Sequence, residues 1–114
     1  MSITSDLIRG STDTIILARL MEKDSYGYEI GKAIQEITGN EYELKEATLY
    51  SAFRRLEESG MIYSYWGDKK SGARSGARSG ARRKYYTVTT LGRETYSKNK
   101  KDWQEAKVII DKLI

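Results

Sequence analysis

The hydrophobic period of this sequence changes twice, and the order of the changes narrows the fold more than any other feature. In the first half the apolar residues recur at spacings of three and four. Leu7, Ile8, Ile15, Ile16, Leu17, Leu20 and Met21 predict a helix over about residues 5–23, with a weak middle at Gly10-Ser11-Thr12. Tyr26, Ile30, Ala33, Ile34 and Ile37 predict a second over 26–38, with Asp24 or Ser25 as its cap and Gly39-Asn40 as a left-handed stop. Leu49, Ala52, Phe53 and Leu56 predict a third over 46–59, ended by Gly60. The period then shortens. Residues 61–66 and 84–89 are rich in aromatic and β-branched side chains and bracket a glycine-rich basic loop, which is the pattern of a β-hairpin. From Thr90 the helical period returns, with Tyr96, Asn99, Trp103, Ala106, Ile110 and Leu113 alternating at three and four.

The implied fold class is mainly α with a small β-hairpin (α+β). Three helices, a strand, a loop, a strand and a long helix follow the order of a winged helix-turn-helix with an added C-terminal helix. Two parts are expected: a DNA-binding head over residues 1–89, with a wing loop at 67–83, and a dimerisation helix over 90–114. With Val108, Ile109 and Ile114 beside its stripe, the last helix carries more apolar surface than a three-helix head can cover. A homodimer through Tyr96, Asn99, Trp103, Ala106, Ile110 and Leu113 is the economical solution, against a helix folded back on its own core.

Composition removes most enzyme chemistry. The 114 residues contain no cysteine and no histidine, so thiolate nucleophiles, disulfides and the commonest general base and metal ligand are all missing. No cofactor and no metal site are expected. The longest apolar run, residues 14–18, is far below the roughly 20 residues that cross a bilayer, and the polar N-terminus lacks a signal-peptide pattern. A cytoplasmic protein without a membrane partner is the expectation. The net charge of +4 is unevenly spread. Between Gly67 and Tyr86, seven cations (Lys69, Lys70, Arg74, Arg78, Arg82, Arg83 and Lys84) face Asp68 alone, a surplus of six that leaves the remainder of the chain at −2. A solvated surface would explain some of this; contact with a polyanion explains it better.

At this point the residues resemble those of the PadR family of bacterial transcriptional regulators. Four segments carry the likeness: Tyr26-Gly27-Tyr28-Glu29-Ile30, Glu46-Ala47-Thr48-Leu49-Tyr50, Arg55-Leu56-Glu57-Glu58-Ser59-Gly60-Met61-Ile62, and Arg83 through Gly92. Within the family the likeness is strongest to multidrug-sensing repressors, through Glu46 to Tyr50, Ser64 to Asp68, and Trp103. The resemblance implies a homodimer, operator binding by paired winged helices, and planar aromatic small molecules held at the dimer centre between tryptophans. By the same resemblance Leu7, Gly10 and Thr14 would line that space. Two departures stand out: Ser51 occupies a position where many members have proline, and Lys107, one turn after Trp103, replaces a carboxylate that would suit cationic drugs.

If Leu49, Phe53 and Leu56 face the core, Ala47, Thr48, Ser51, Arg54, Arg55 and Glu58 face outward, with Tyr50 on the flank. Short polar residues near the start of a helix can reach base edges, and arginines can reach phosphates. The alternative for Arg54 and Arg55 is pairing with surface carboxylates. Trp103, near the centre of the dimer stripe, could clamp a flat aromatic with its symmetry mate or serve as a plain interface anchor. Trp66 reads as a packing residue where the wing meets the body.

The wing holds a tandem repeat: Ser71-Gly72-Ala73-Arg74 recurs at 75–78 and 79–82. Identical copies point to in-frame duplication, and one copy would restore the ordinary wing length of the repressors the chain resembles. Two extra arginines on a small-residue loop predict weaker discrimination between operator and random DNA. Two other readings stay open: a winged helix that binds protein rather than DNA, for which the basic wing has no use, and a repressor that senses no ligand.

Overall fold

The computed structural model describes residues 8, 10–67 and 83–114. Its elements are α1 (Thr12–Glu22), β1 (Ser25–Tyr26), α2 (Gly27–Ile37), α3 (Glu46–Glu58), β2 (Ile62–Trp66), β3 (Lys84–Val88) and α4 (Thr90–Leu113). This is the order predicted from the periods, with one addition. Residues 25–26, expected to cap and open the second helix, form a short strand on the edge of β3, so the sheet has three strands in the order β1-β3-β2, all antiparallel. The physical reason is pairing: Ser25 and Tyr26 lie opposite Tyr86 and Tyr85, whose outer backbone groups would otherwise lack partners. Ser25 still serves α2 from outside it, since its hydroxyl donates to the Glu29 carboxylate in the first turn. That bond, with the Lys23 and Arg83 charges, holds the Glu29 carboxyl below its ordinary value.

Two helices end as the glycines predict. At the end of α2 the Gly39 N–H donates to Glu36 O and the Asn40 N–H to Gln35 O, with φ of 63° and 67° at Gly39 and Asn40. At the end of α3 the Gly60 N–H donates to Glu57 O and the Met61 N–H to Leu56 O, with φ of 77° at Gly60. Both are Schellman stops, which need a residue that tolerates the left-handed region. The predicted first helix is interrupted at its weak middle: Ile8 is helical, Gly10 and Ser11 form a turn, and α1 begins at Thr12.

One core holds these elements together. Ile16, Leu17 and Leu20 of α1, Ile30 and Ile34 of α2, and Leu49, Ala52, Phe53 and Leu56 of α3 close over Ile62, Tyr86 and Val88 of the sheet. The Phe53 and Tyr86 rings stack with centroids 4.0 Å apart. Burial, then the nearby Glu57 carboxylate, pushes the Tyr86 phenol up. Leu44 anchors the segment between α2 and α3 in this core, while the Thr38 hydroxyl donates to Ile34 O at 3.0 Å and accepts from the Tyr42 N–H at 3.2 Å. The α2-turn-α3 unit is thus fixed from both sides. Among the described residues no helix is long and apolar enough to cross a membrane.

Candidate nucleic-acid interface and apolar cleft

Burying Leu49, Ala52, Phe53 and Leu56 turns the opposite side of α3 to solvent. Ala47, Thr48, Ser51, Arg54, Arg55 and Glu58 are all exposed, as the helical period predicts. Thr48 and Ser51 occupy the first half of the helix and the two arginines the second. Tyr50 packs edge-on against Phe53 with centroids 5.3 Å apart and lays its phenol over Gly27, where a Cβ would lie 2.1 Å from the hydroxyl oxygen. The absent side chain at Gly27 therefore lets α3 approach the start of α2. The arginines differ. Arg55 pairs with Asp13 of α1 at 2.5 Å, whereas Arg54 has no ion pair among the described residues.

The base of the wing is organised by aromatic rings. Tyr26, Tyr85 and Tyr65 form one row across β1, β3 and β2, with centroids 5.3 Å and 5.8 Å apart along it. Because Tyr86 faces the core, this row lies on the other face of the sheet. The Arg83 guanidinium sits 4.6 Å over the Tyr26 ring, and the Lys84 ammonium 5.9 Å from that of Tyr86. The Tyr65 hydroxyl donates to Asp24, which pushes its pKa up to about 12. Gly67 closes the row: a Cβ there would meet the Tyr85 ring at 2.2 Å. Trp66, expected to pack where the wing meets the body, keeps 58% of its surface exposed: it shares the face of Ile62 and Ser64 but stands at the strand end, where β1 no longer pairs and only β2 and β3 remain. The predicted DNA contacts Lys69, Lys70, Arg74, Arg78 and Arg82, and the tandem repeat, lie outside the described residues, as does Leu7.

A second feature lies between α1 and α4. A cleft of about 540 Å³ is walled by Thr14, Ile15 and Ala18 of α1, Tyr96, Asn99 and Trp103 of α4, and Ile34, Ile37 and Tyr42 from α2 and the following turn. Its lining is mainly apolar, and Trp103, 54% exposed, stands at its outer end. Of the residues expected around a ligand, Thr14 and Trp103 line it. Gly10 stands in the exposed turn before α1, with open space where a Cβ would point, and Lys107 places its ammonium 5.6 Å over the Trp103 ring, beyond the lining. Beyond Trp103, α4 leaves the head; Val108, Ile109, Ile110 and Leu113 are exposed, Leu113 to 77%. Two residues of the expected dimer stripe are engaged within the protomer: Tyr96 packs against the core and Asn99 donates to Thr14. Ala106, Ile110 and Leu113 face solvent.

Residues 16–98 match the Transcriptional regulator PadR-like family. The chain belongs to that family. It is similar to an uncharacterized protein of Lysinibacillus sphaericus, with 46% identity over 109 residues that cover 96% of this chain and 93% of the relative. Among solved structures it is similar to a transcriptional regulator from Clostridium thermocellum, with a TM-score of 0.84 and 45% identity over 99% of both chains. It is also similar to a PadR family transcription regulator from Clostridium difficile, with a TM-score of 0.71 and 36% identity over 90% of this chain and 97% of that one. PadR-like regulators are DNA-binding proteins rather than enzymes, so this chain is a winged-helix DNA-binding transcriptional regulator.

Several residues of this PadR-like protein act through contacts that only the folded chain brings together. Asp13 carries no local signal that it reaches Arg55, 42 residues away. Ile37 is different: it continues the apolar stripe of Ile30 and Ile34, yet at the helix end it lies outside the core, 63% exposed, and lines the cleft. Thr38 and Tyr42 act through a turn whose hydrogen bonds only the folded backbone defines.

Proposed function

We propose that this PadR-like regulator is a repressor that binds its operator as a homodimer and releases it when a flat apolar molecule occupies the cleft between α1 and α4. The cleft carries the reading: an apolar-lined space of about 540 Å³ that ends in a half-exposed tryptophan, beside an exposed apolar helix end, has the form of a binding site for a planar aromatic ligand. Exposed Ile109, Ile110 and Leu113 would leave a monomer with a large apolar patch, and pairing α4 with a second copy removes it. In such a dimer the two Trp103 indoles come near one another and complete the clamp.

On DNA, Thr48 and Ser51 would meet base edges, Tyr50 the flank, and Arg54 and Arg55 phosphates or guanine, while Arg83, Lys84 and the wing cations Lys69, Lys70, Arg74, Arg78 and Arg82 would meet the backbone or the minor groove. The test is the affinity of the protein for its own upstream DNA, with and without planar aromatic compounds that do not themselves bind DNA. Ligand binding is followed by Trp103 fluorescence in a Trp66→Phe background. A compound that quenches Trp103 and weakens operator binding supports the reading. DNA binding indifferent to every compound, with no change in fluorescence, supports a repressor whose centre is closed by paired Trp103 side chains.

A further inference from the structure

Arg55 and Arg54 are neighbours on the outward side of α3, yet the structure treats them differently. The Arg55 Nη2 donates to Asp13 Oδ1 in the first turn of α1, at 2.5 Å, while Arg54 has no ion pair among the described residues. Both side chains of the pair remain open to water, Arg55 to 56% and Asp13 to 41%. A pair this exposed is screened and worth little, so a DNA phosphate, with its counterion release, can compete for the guanidinium. Arg55 also stands in the second half of α3, the part of a recognition helix that faces the backbone rather than the bases.

We propose that Asp13 is a positioning residue for DNA binding: it holds Arg55 against α1 in the free protein, and DNA takes Arg55 from it on binding. This rests on the reading of α3 as the helix that meets DNA. Asp13 thereby lowers the affinity of the regulator for DNA. Because a phosphate is the competitor, the effect is the same on any sequence.

The experiment compares wild type, Asp13→Asn, Asp13→Glu, Arg54→Ala, Arg55→Ala and the Asp13→Asn/Arg55→Ala double variant on the protein's own upstream DNA and on a random duplex of equal length. Asp13→Asn should bind both DNAs about two- to fivefold more tightly, the fold-change that corresponds to an exposed ion pair. In the Arg55→Ala background the same substitution should change nothing. Asp13→Glu, which keeps a carboxylate, should bind as wild type does, and thermal unfolding of each variant shows that the fold is retained. Unchanged affinity in Asp13→Asn would overturn the proposal. An equal gain with and without Arg55 would overturn it as well, since removal of a negative charge near DNA would then be the whole effect. Operator binding that survives both Arg54→Ala and Arg55→Ala would remove α3 from the interface, a failure of the underlying reading that the other outcomes do not produce.

Discussion

Asn99 on α4 donates from Nδ2 to Thr14 Oγ1 on α1 at 3.0 Å, across 85 residues of sequence. The bond lies in the wall of the apolar cleft and ties the C-terminal helix to the head near the point where that helix leaves it. Thr14→Val should leave a part-buried amide without its acceptor and cost about 1 kcal/mol, lowering the melting temperature by a few degrees. Adding Asn99→Leu should recover part of the loss, because an apolar pair leaves no polar group unmet. Equal melting temperatures for wild type and Thr14→Val would show that the bond carries no stability.

Gly92 and Gly27 predict unequal effects of the same substitution. A Cβ on Gly92 would lie 2.1 Å from the Met61 carbonyl oxygen and 2.7 Å from Val88 Cγ2, so backbone must move and α4 must shift off the sheet. Gly92→Ala should cost about 1–3 kcal/mol in denaturant unfolding. At Gly27 the obstacle is the tip of the partly exposed Tyr50 side chain, which can swing away. Gly27→Ala should therefore cost clearly less than Gly92→Ala while disturbing the flank of α3 and hence DNA binding.

Ile110→Asp tests the dimer. In the proposed interface each copy would place a carboxylate among apolar side chains, a burial that water does not compensate. Sedimentation at micromolar concentration should show wild type as a dimer and the variant as a monomer with the head still folded. An unchanged dimer would place the interface elsewhere.

The Tyr65 hydroxyl makes a prediction at alkaline pH. Its bond to Asp24 raises its pKa from 10.0 to about 12, so the folded state holds this proton more tightly than the unfolded chain does. The contribution to stability is full below pH 10 and is lost as the pH rises through 12. Between these values the stability of wild type should fall more steeply than that of Tyr65→Phe, which has no proton to lose. Parallel curves would show that the Asp24 bond is unimportant. Glu29 has the opposite sign: its lowered value means that its contribution, present in neutral solution, is lost as acid protonates it.

Deleting residues 75–82 removes two copies of the tandem repeat and two arginines. Operator affinity relative to random DNA should rise, because a shorter loop has less chain to order, and the salt dependence should flatten by up to about two units. Equal ratios and equal salt slopes would show the added copies to be inert.

Much of the fold was legible in the residues themselves. The three- and four-residue spacing of Leu49, Phe53 and Leu56 predicts which side of α3 is buried, and therefore that Thr48, Ser51, Arg54 and Arg55 are exposed. Gly39, Asn40 and Gly60 mark helix ends, because a left-handed residue stops a helix wherever it stands. The two runs of aromatic and β-branched residues after Gly60 mark the hairpin. All of these depend on interactions within a few residues of the chain or on one periodic face, which is information a sequence carries locally. Tertiary structure alone decided the rest. Ser25 and Tyr26 join a strand rather than a helix because β3, 60 residues on, offers an unpaired edge. Asp13 meets Arg55, and Thr14 meets Asn99, because packing of α1 in the shared core brings together surfaces that no local pattern relates. The cleft likewise exists only in the angle between α1 and α4, which the fit of side chains from five elements sets, and no short segment of the chain specifies such an angle.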